Sequence, residues 1–358
     1  MRIKILFVLG TRPEIIKLSP LIKESVKKKI QVTIVNTGQH FSKNMHNEFL
    51  KFLKIKPDYN LKTNNKNTNK KYFVHNTILK LKQIYKIENP NFIINQGDTN
   101  TVLASALAYK QVKKIIKSKL VHIEAGIRSF DKKMIEEKNR IIADRLSDYL
   151  FAPTYIAKKN ILNENPQKKN IYVVGNTIVD VLKYTQKKIK HFKEKKYFFL
   201  TLHRPELVDK IGLLKKVLHS IINIAQHYKV KIIFSVHPRT RDKLKKIKIK
   251  DHNILKIISP CNYKKSIIYQ ICSKLVMTDS GGIQEEACIL NKPCVTIRKN
   301  TERPETIKIK SNVLSGFASK DITSSVHKML LKKNIWKHPY KKNVSSNIIK
   351  ILKKSLND

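Results

Sequence analysis

The chain has 358 residues, 41% of them hydrophobic, which excludes both a single small domain and wholesale disorder and leaves room for two cores. Its formal charge is +48, but lysine far outnumbers arginine and is spread over the whole length beside abundant Ile and Asn. That pattern reads as compositional bias and a solvated basic surface ahead of a dedicated nucleic-acid site, which would favour arginine and interleaved aromatics.

The N-terminal run Ile3–Leu9 is too short for a signal-peptide core and is followed by Thr11-Arg12-Pro13-Glu14, so it reads as a first buried strand. Further apolar runs at Val32–Asn36, Phe92–Asn95, Leu120–Ile123, Tyr149–Phe151 and Ile171–Val174 continue the series. Helical patterns lie between them, for example Ile15–Lys27 and Thr101–Val112. The polar, low-complexity stretch Lys62–Lys71 (KTNNKNTNKK) reads as a loop. Around residues 185–196 the chain turns Lys-rich, and a second strand series follows: Tyr197–Leu202, Lys231–Val236, Ile254–Ile257, Leu275–Thr278 and Cys294–Ile297, with a helix over Leu213–Tyr228. Val344–Leu356 has apolar residues at helical spacing. The alternation predicts an α/β protein of two Rossmann-like parallel-sheet domains, 1–180 and 181–341, with a C-terminal helix in 342–358 packing back on the first.

No segment is long enough to span a bilayer. Cys261, Cys272, Cys288 and Cys294 form no C-x-x-C pair and have no zinc-finger partners, which points to free thiols in a cytoplasmic protein. No metal-ligand motif appears, and neither G-x-G-x-x-G nor G-x-x-x-x-G-K-[ST] follows a strand, so no cofactor is expected.

In open α/β sheets ligands bind beyond the carboxyl ends of the strands. In the first half those ends carry Gly10-Thr11-Arg12, Gly38-Gln39-His40, Gly97-Asp98-Thr99 and Glu124-Ala125-Gly126. In the second they carry His203-Arg204, His237-Pro238-Arg239, Asp279-Ser280-Gly281-Gly282 and Arg298 through Glu305. Arg12, just before a Pro-initiated helix, is expected to point into the crevice. Asp98 is as well placed to cap the next helix as to do chemistry, and one of Glu136 and Glu137 is expected to be an ordinary first-turn acid. Strand, turn and helix start at Leu275–Ala287 (LVMTDSGGIQEEA) form an anion site: unpaired N–H groups and the helix dipole suit a phosphate, and Gly281 and Gly282 leave the backbone open to it.

Taken together, GTRPEIIKLSPLI (10–22), TGQH (37–40), QGDTNTVLA (96–104), HIEAGIRSFD (122–131), EEKNR (136–140), GNTIVD (175–180), DSGGIQEEA (279–287) and RKNTERPET (298–306) resemble the non-hydrolysing UDP-N-acetylglucosamine 2-epimerase family. The resemblance implies the two-domain arrangement of B-type glycosyltransferases, a UDP-sugar in the cleft, interconversion of UDP-GlcNAc and UDP-ManNAc for surface polysaccharide, and a homodimer. It carries catalytic roles to Arg12, Lys17, Asp98, Glu124, Glu136 and His203. It makes Ser280, Gly281 and Gly282 diphosphate contacts and Glu286 a ribose contact. Gln39, His40, Arg128, Arg298, Glu302 and Arg303 are supporting residues. The implied route, elimination of UDP to a glycal and re-addition, needs carboxylates for proton transfer and cations for the departing diphosphate.

Three positions depart from the family pattern: Ile135 where Pro is common, Leu207 where Asn is common, and Ser266 where many members place an apolar or aromatic residue. The rival readings are the same chemistry on UDP-2,3-diacetamido-glucuronate or UDP-N-acetylfucosamine, a B-type glycosyltransferase, and a polyanion binder using the basic surface.

Overall fold

The computed structural model describes residues 3–39, 50, 55–63, 69–131, 133–187, 196–332 and 336–356. Thirteen strands lie among them: β1 (Lys4–Leu9), β2 (Gln31–Asn36), β3 (Tyr59–Asn60), β4 (Phe92–Gln96), β5 (Lys119–Ile123), β6 (Tyr149–Ala152), β7 (Ile171–Val173), β8 (Tyr197–Thr201), β9 (Lys231–Ser235), β10 (Leu255–Ile258), β11 (Leu275–Thr278), β12 (Cys294–Thr296) and β13 (Asn312–Leu314). The helices are α1 (Arg12–Lys27), α2 (Lys70–Glu88), α3 (Asn100–Val112), α4 (Ile135–Leu146), α5 (Tyr155–Glu164), α6 (Ile178–Lys187), α7 (Pro205–Val208), α8 (Ile211–His227), α9 (Pro238–Lys246), α10 (Tyr263–Cys272), α11 (Gly281–Ile289), α12 (Pro304–Lys308), α13 (Ser319–Leu330) and α14 (Val344–Lys354).

The chain divides into two units, residues 1–184 with 340–358, and residues 185–339. The first holds a seven-stranded sheet in the order β3-β2-β1-β4-β5-β6-β7, the second a six-stranded sheet in the order β10-β9-β8-β11-β12-β13. Every pairing is parallel. That is why the central strands read as unbroken apolar runs: helices cover both faces, so KILFVL and LVMT have no solvent face on which to alternate. In the first unit Leu6, Val8, Val35, Ile93 and Leu120 pack with Leu81 and Tyr85 of α2 and Ala106, Ala108 and Tyr109 of α3. In the second, Phe198, Leu200, Phe234 and Met277 pack with Leu214, Leu218 and Ile221 of α8 and Ile322 and Val326 of α13.

The strand order reverses once in each sheet, between β1 and β4 and between β8 and β11. Those reversals open a crevice at the carboxyl ends of the strands, because the helices that follow the two neighbouring strands leave on opposite faces.

The C-terminal helix α14 belongs to the first unit. It buries Val344, Ile348, Ile349 and Leu352 and packs on α1, and its Ser345 N–H donates to Asp180 Oδ2 at 2.8 Å. The two strands absent from the sequence expectation, β3 and β13, are short edge strands. The polar stretch expected as a loop over 62–71 is corrected at its end: Asn69 caps α2, its side chain accepting from Tyr72 N–H at 2.9 Å, and Lys70 and Lys71 begin the helix. Residues 64–68 lie outside the described residues. Among the described residues no helix is long and apolar enough to cross a membrane.

Candidate active site

The first unit gathers its polar residues beyond β1, β4 and β5. Arg12 is the first residue of α1 and half-buried. Glu14, two residues further on, is fully buried, and its Oε2 accepts from the Gly10 and Thr11 N–H groups at 2.8 and 2.7 Å. Its Oε1 accepts from the Thr99 hydroxyl at 2.5 Å. Glu14 therefore ties the loop carrying Arg12 to the loop carrying Asp98. Burial pushes its carboxyl up to about 7, against the lowering effect of those hydrogen bonds.

Lys17 is buried on the same helix, and its Nζ donates to Glu124 Oε1 at 2.5 Å. Glu124 also accepts from Gln96 Nε2, and from Asn176 Nδ2 at 3.2 Å. Its backbone sits at φ +72, a conformation that costs a non-glycine residue roughly 1–2 kcal/mol. The strain holds because its N–H and that of Ala125 both donate to the Phe151 carbonyl, at 3.0 and 3.2 Å.

Asp98 does not cap α3; Thr99 does, its hydroxyl accepting from Val102 N–H at 3.3 Å. This corrects the capping alternative, and the reason is register: the cap falls one residue later. Asp98 instead takes two bonds on Oδ2 from Arg140, from Nε at 3.0 Å and Nη2 at 2.6 Å. Glu136 and Glu137 part company at the start of α4. Glu137 is buried, ion-paired to Arg140 at 2.5 Å, and accepts from Ser129 and Phe130, whereas Glu136 is exposed. Ile135, the departure from Pro before them, is a half-open surface position.

Arg128 is committed elsewhere. It pairs with Asp144 at 2.7 Å and with Glu164 at 2.7 Å, and is 3% exposed. Asp144 also pairs with His122, whose other ring nitrogen lies 2.8 Å from the Gly97 carbonyl. Burial opposes the charge on Asp144, but His122 and Arg128 outweigh it and hold the carboxyl below its ordinary range. This buried network props the Gly97–Asp98 turn from below. Gln39 supports the neighbouring loop: its Oε1 accepts from the Thr101 N–H and hydroxyl at 2.8 and 2.9 Å. His40 lies outside the described residues.

The second unit does the same beyond β8 and β11. Asp279, fully buried, accepts on Oδ2 from the His203 and Arg204 N–H groups, both at 2.8 Å, and its Oδ1 lies 3.1 Å from His203 Nδ1. Burial opposes its ionisation, but His203 and the two N–H groups prevail and hold its carboxyl below the ordinary range. Asp279 thus fixes the ring of His203, which is about a third exposed and lies 5.6 Å from the His237 ring.

Ser280 is the N-cap of α11 and makes no side-chain cap bond, so the first N–H groups of this nine-residue helix are not satisfied by it. The two glycines have different reasons. A Cβ on Gly281 would stand 2.5 Å from Glu302 Oε1, whereas one on Gly282 would meet nothing closer than Ser280 Oγ at 3.9 Å. Gly281 makes room for the protein itself, and only Gly282 fits the expectation of backbone kept open for a ligand. Glu302 is held by Arg298 at 2.7 Å and Arg204 at 3.0 Å, and Arg303 pairs with Glu285 at 2.5 Å. Arg298, Glu302 and Arg303 are all buried, so these three brace the turn. Glu286 is buried one turn into α11, its Oε2 accepting from Gln270 Nε2 at 2.6 Å. Ser266 lies on the same side of α10, with its hydroxyl 3.5 Å from Gln270. Leu207, in place of Asn, is fully buried in the second unit's core.

Among the described residues no three His, Cys, Asp or Glu side chains converge in a way that would hold a metal ion. Sequence reasoning missed Glu14, Gln96, Asn176, Glu137, Arg140, Asp279 and Gln270. Six of them, all but Gln270, sit inside quoted motifs, but only their tertiary partners reveal what they do.

The family model described as UDP-N-acetylglucosamine 2-epimerase matches residues 23–353. A protein of Methanococcus maripaludis named UDP-N-acetylglucosamine 2-epimerase is 44% identical, the alignment covering 97% of each chain. The crystal structure of Methanocaldococcus jannaschii UDP-GlcNAc 2-epimerase in complex with UDP-GlcNAc and UDP superposes with a TM-score of 0.91 at 41% identity, over 98% of this chain and all of that one. A Pseudomonas aeruginosa UDP-2,3-diacetamido-2,3-dideoxy-D-glucuronate 2-epimerase is 35% identical over 91% of this chain and 92% of its own.

Proposed function

The chain belongs to the UDP-N-acetylglucosamine 2-epimerase family, and from that premise we propose that it is an isomerase that interconverts UDP-GlcNAc and UDP-ManNAc. One observation carries the reading. In each sheet, the family's polar residues stand at the strand ends flanking the reversal of strand order, where an α/β sheet binds its ligand.

The chemistry divides among these groups. A carboxylate takes the C2 proton while the C1–O bond breaks and UDP leaves, giving a C1=C2 glycal. UDP then re-adds at C1 as a proton is delivered to the opposite face of C2. Asp98, Glu124 and Glu136 are the proton-transfer groups available. Lys17 holds Glu124 in place, and Arg12 and His203 oppose charge building on the leaving diphosphate. The start of α11, from Ser280 through Gly282, receives the diphosphate, and Glu286 accepts from the ribose hydroxyls. The higher identity to UDP-GlcNAc enzymes than to the diacetamido-uronate enzyme favours the GlcNAc substrate. A homodimer acting in the cytoplasm belongs to the same reading, supported for the compartment by four free cysteines.

Proton NMR of the protein with UDP-GlcNAc in D2O tests the proposal. Appearance of UDP-ManNAc with deuterium at C2 of both epimers is the expected result. Folded, UDP-binding protein that exchanges nothing would redirect the search to the diacetamido-uronate and FucNAc nucleotides.

A further inference from the structure

We propose that Arg140, braced by Glu137, is a positioning residue that fixes Asp98 so that its Oδ1 atom faces the reacting sugar. The inference rests on the epimerase reading above. Both Arg140 bonds fall on one oxygen, Oδ2, and among the described residues no hydrogen bond is made to Oδ1. Arg–carboxylate pairs are frequently fork to fork, the guanidinium taking both oxygens. Here both bonds grip one oxygen of Asp98, whose side chain is 33% exposed while that of Arg140 is 4% exposed.

The grip is itself immobilised. Arg140 Nη1 pairs with Glu137 Oε2 at 2.5 Å. Glu137 Oε2 accepts from the Ser129 N–H and hydroxyl, both at 2.9 Å, and Oε1 accepts from the Phe130 N–H at 3.0 Å. Asn139, between the two, donates from Nδ2 to the Asp98 carbonyl at 2.9 Å. Two residues of the EEKNR run thus converge on one aspartate 41 and 42 positions away, Asn139 through its backbone carbonyl and Arg140 through its carboxylate, while Glu137 holds Arg140. Glu136, the remaining acid, is the one that does not take part. A reacting carboxylate must be held to within about half an ångström, and a misplacement of about 1 Å can cost roughly a hundredfold in rate.

A double-mutant cycle decides the matter, with kcat, KM and C2–H exchange read on UDP-GlcNAc and heat stability read alongside. Arg140→Lys keeps the charge but cannot make both bonds. It should lower kcat and C2–H exchange together by roughly a hundredfold, with KM changed less than about threefold. In an Asp98→Asn background the same substitution should add less than about threefold, because the atom it positions no longer reacts. Glu137→Gln carries the same prediction at smaller size, and stands in if Arg140→Lys does not fold. Losses that multiply across the cycle, a change confined to KM, or an Asp98→Asn variant as fast as wild type would each overturn the assignment. Wild-type protein without C2–H exchange would instead overturn the functional reading, and this one with it.

Discussion

Lys17 Nζ lies 2.5 Å from Glu124 Oε1, with both side chains buried and 107 positions apart in sequence. Neither charge is stable there alone: removing one partner of a buried pair costs about 3–5 kcal/mol, because the other is left uncompensated. Lys17→Met should therefore unfold at lower urea by that order. Glu124→Gln in the same chain should recover more than half of the loss, since the amide no longer needs a counter-charge. Both variants should lose activity. If the double variant is no more stable than Lys17→Met, the pair does not carry the stability argued for it.

Glu14 predicts a pH signature. Its carboxyl titrates at about 7 in the folded chain against an ordinary 4.5. Between those values the folded state holds a proton that the unfolded state has released. Its contribution is thus complete below the ordinary value and declines as pH rises through 7, by at most about 1.4 kcal/mol per pH unit. Glu14→Gln should fold, its oxygen still accepting from the Gly10 and Thr11 N–H groups and its amide donating to Thr99. Chemical denaturation from pH 5 to 8 should show wild-type stability falling relative to the variant across that window. Parallel curves would place the titration elsewhere.

How much of this was legible depends on whether a feature is local. The central strands declare themselves because each is a run of apolar residues buried on both faces. β3 and β13 do not: Tyr59-Asn60 is two residues at a sheet edge, and Asn312 is used for a hydrogen bond to Gln284. Arg12, Asp98, Glu124, His203 and Ser280 could be picked out as polar residues just beyond apolar runs. What holds them could not. Asp279 serves His203 across 76 positions, Asn176 serves Glu124 across 52, and Arg140 serves Asp98 across 42. Such pairings are set by strand order, which no local pattern encodes. Arg128 stands out in a motif, but the partners through which it supports the Gly97–Asp98 turn, Asp144 and Glu164, lie in other parts of the sequence.

The two glycines before α11 should respond differently to alanine. At Gly281 the new methyl would drive into Glu302, 2.5 Å away, and disturb the carboxylate shared by Arg204 and Arg298. Gly281→Ala should lose about 1–3 kcal/mol, as for an overpacked core. At Gly282 there is space, so Ala should leave the melting temperature unchanged or raise it, by up to about 1 kcal/mol in stability. If that space admits the diphosphate, Gly282→Ala should weaken UDP protection against heat by at least about tenfold in Kd. Undiminished UDP affinity in a folded Gly282→Ala protein would move the phosphate site away from this turn.

Leu207 offers a test in which restoring the family's commoner residue should do harm. The side chain is fully buried among the apolar residues of the second unit. Asn there would lose the burial of the leucine and bring an amide into surroundings supplied by Leu214, Val217 and their neighbours. Loss of the leucine's packing is worth about 2–5 kcal/mol, and an unpartnered buried amide costs roughly 1–3 kcal/mol more. Leu207→Asn should therefore lower the denaturation midpoint sharply. Because His203 is held by Asp279 and not by residue 207, whatever fraction stays folded should keep its KM for UDP-GlcNAc. A variant as stable as wild type would mean that the α7 turn can rotate residue 207 out of the core towards polar partners. Leu207 would then be a freely exchangeable position and not a fixture of this core.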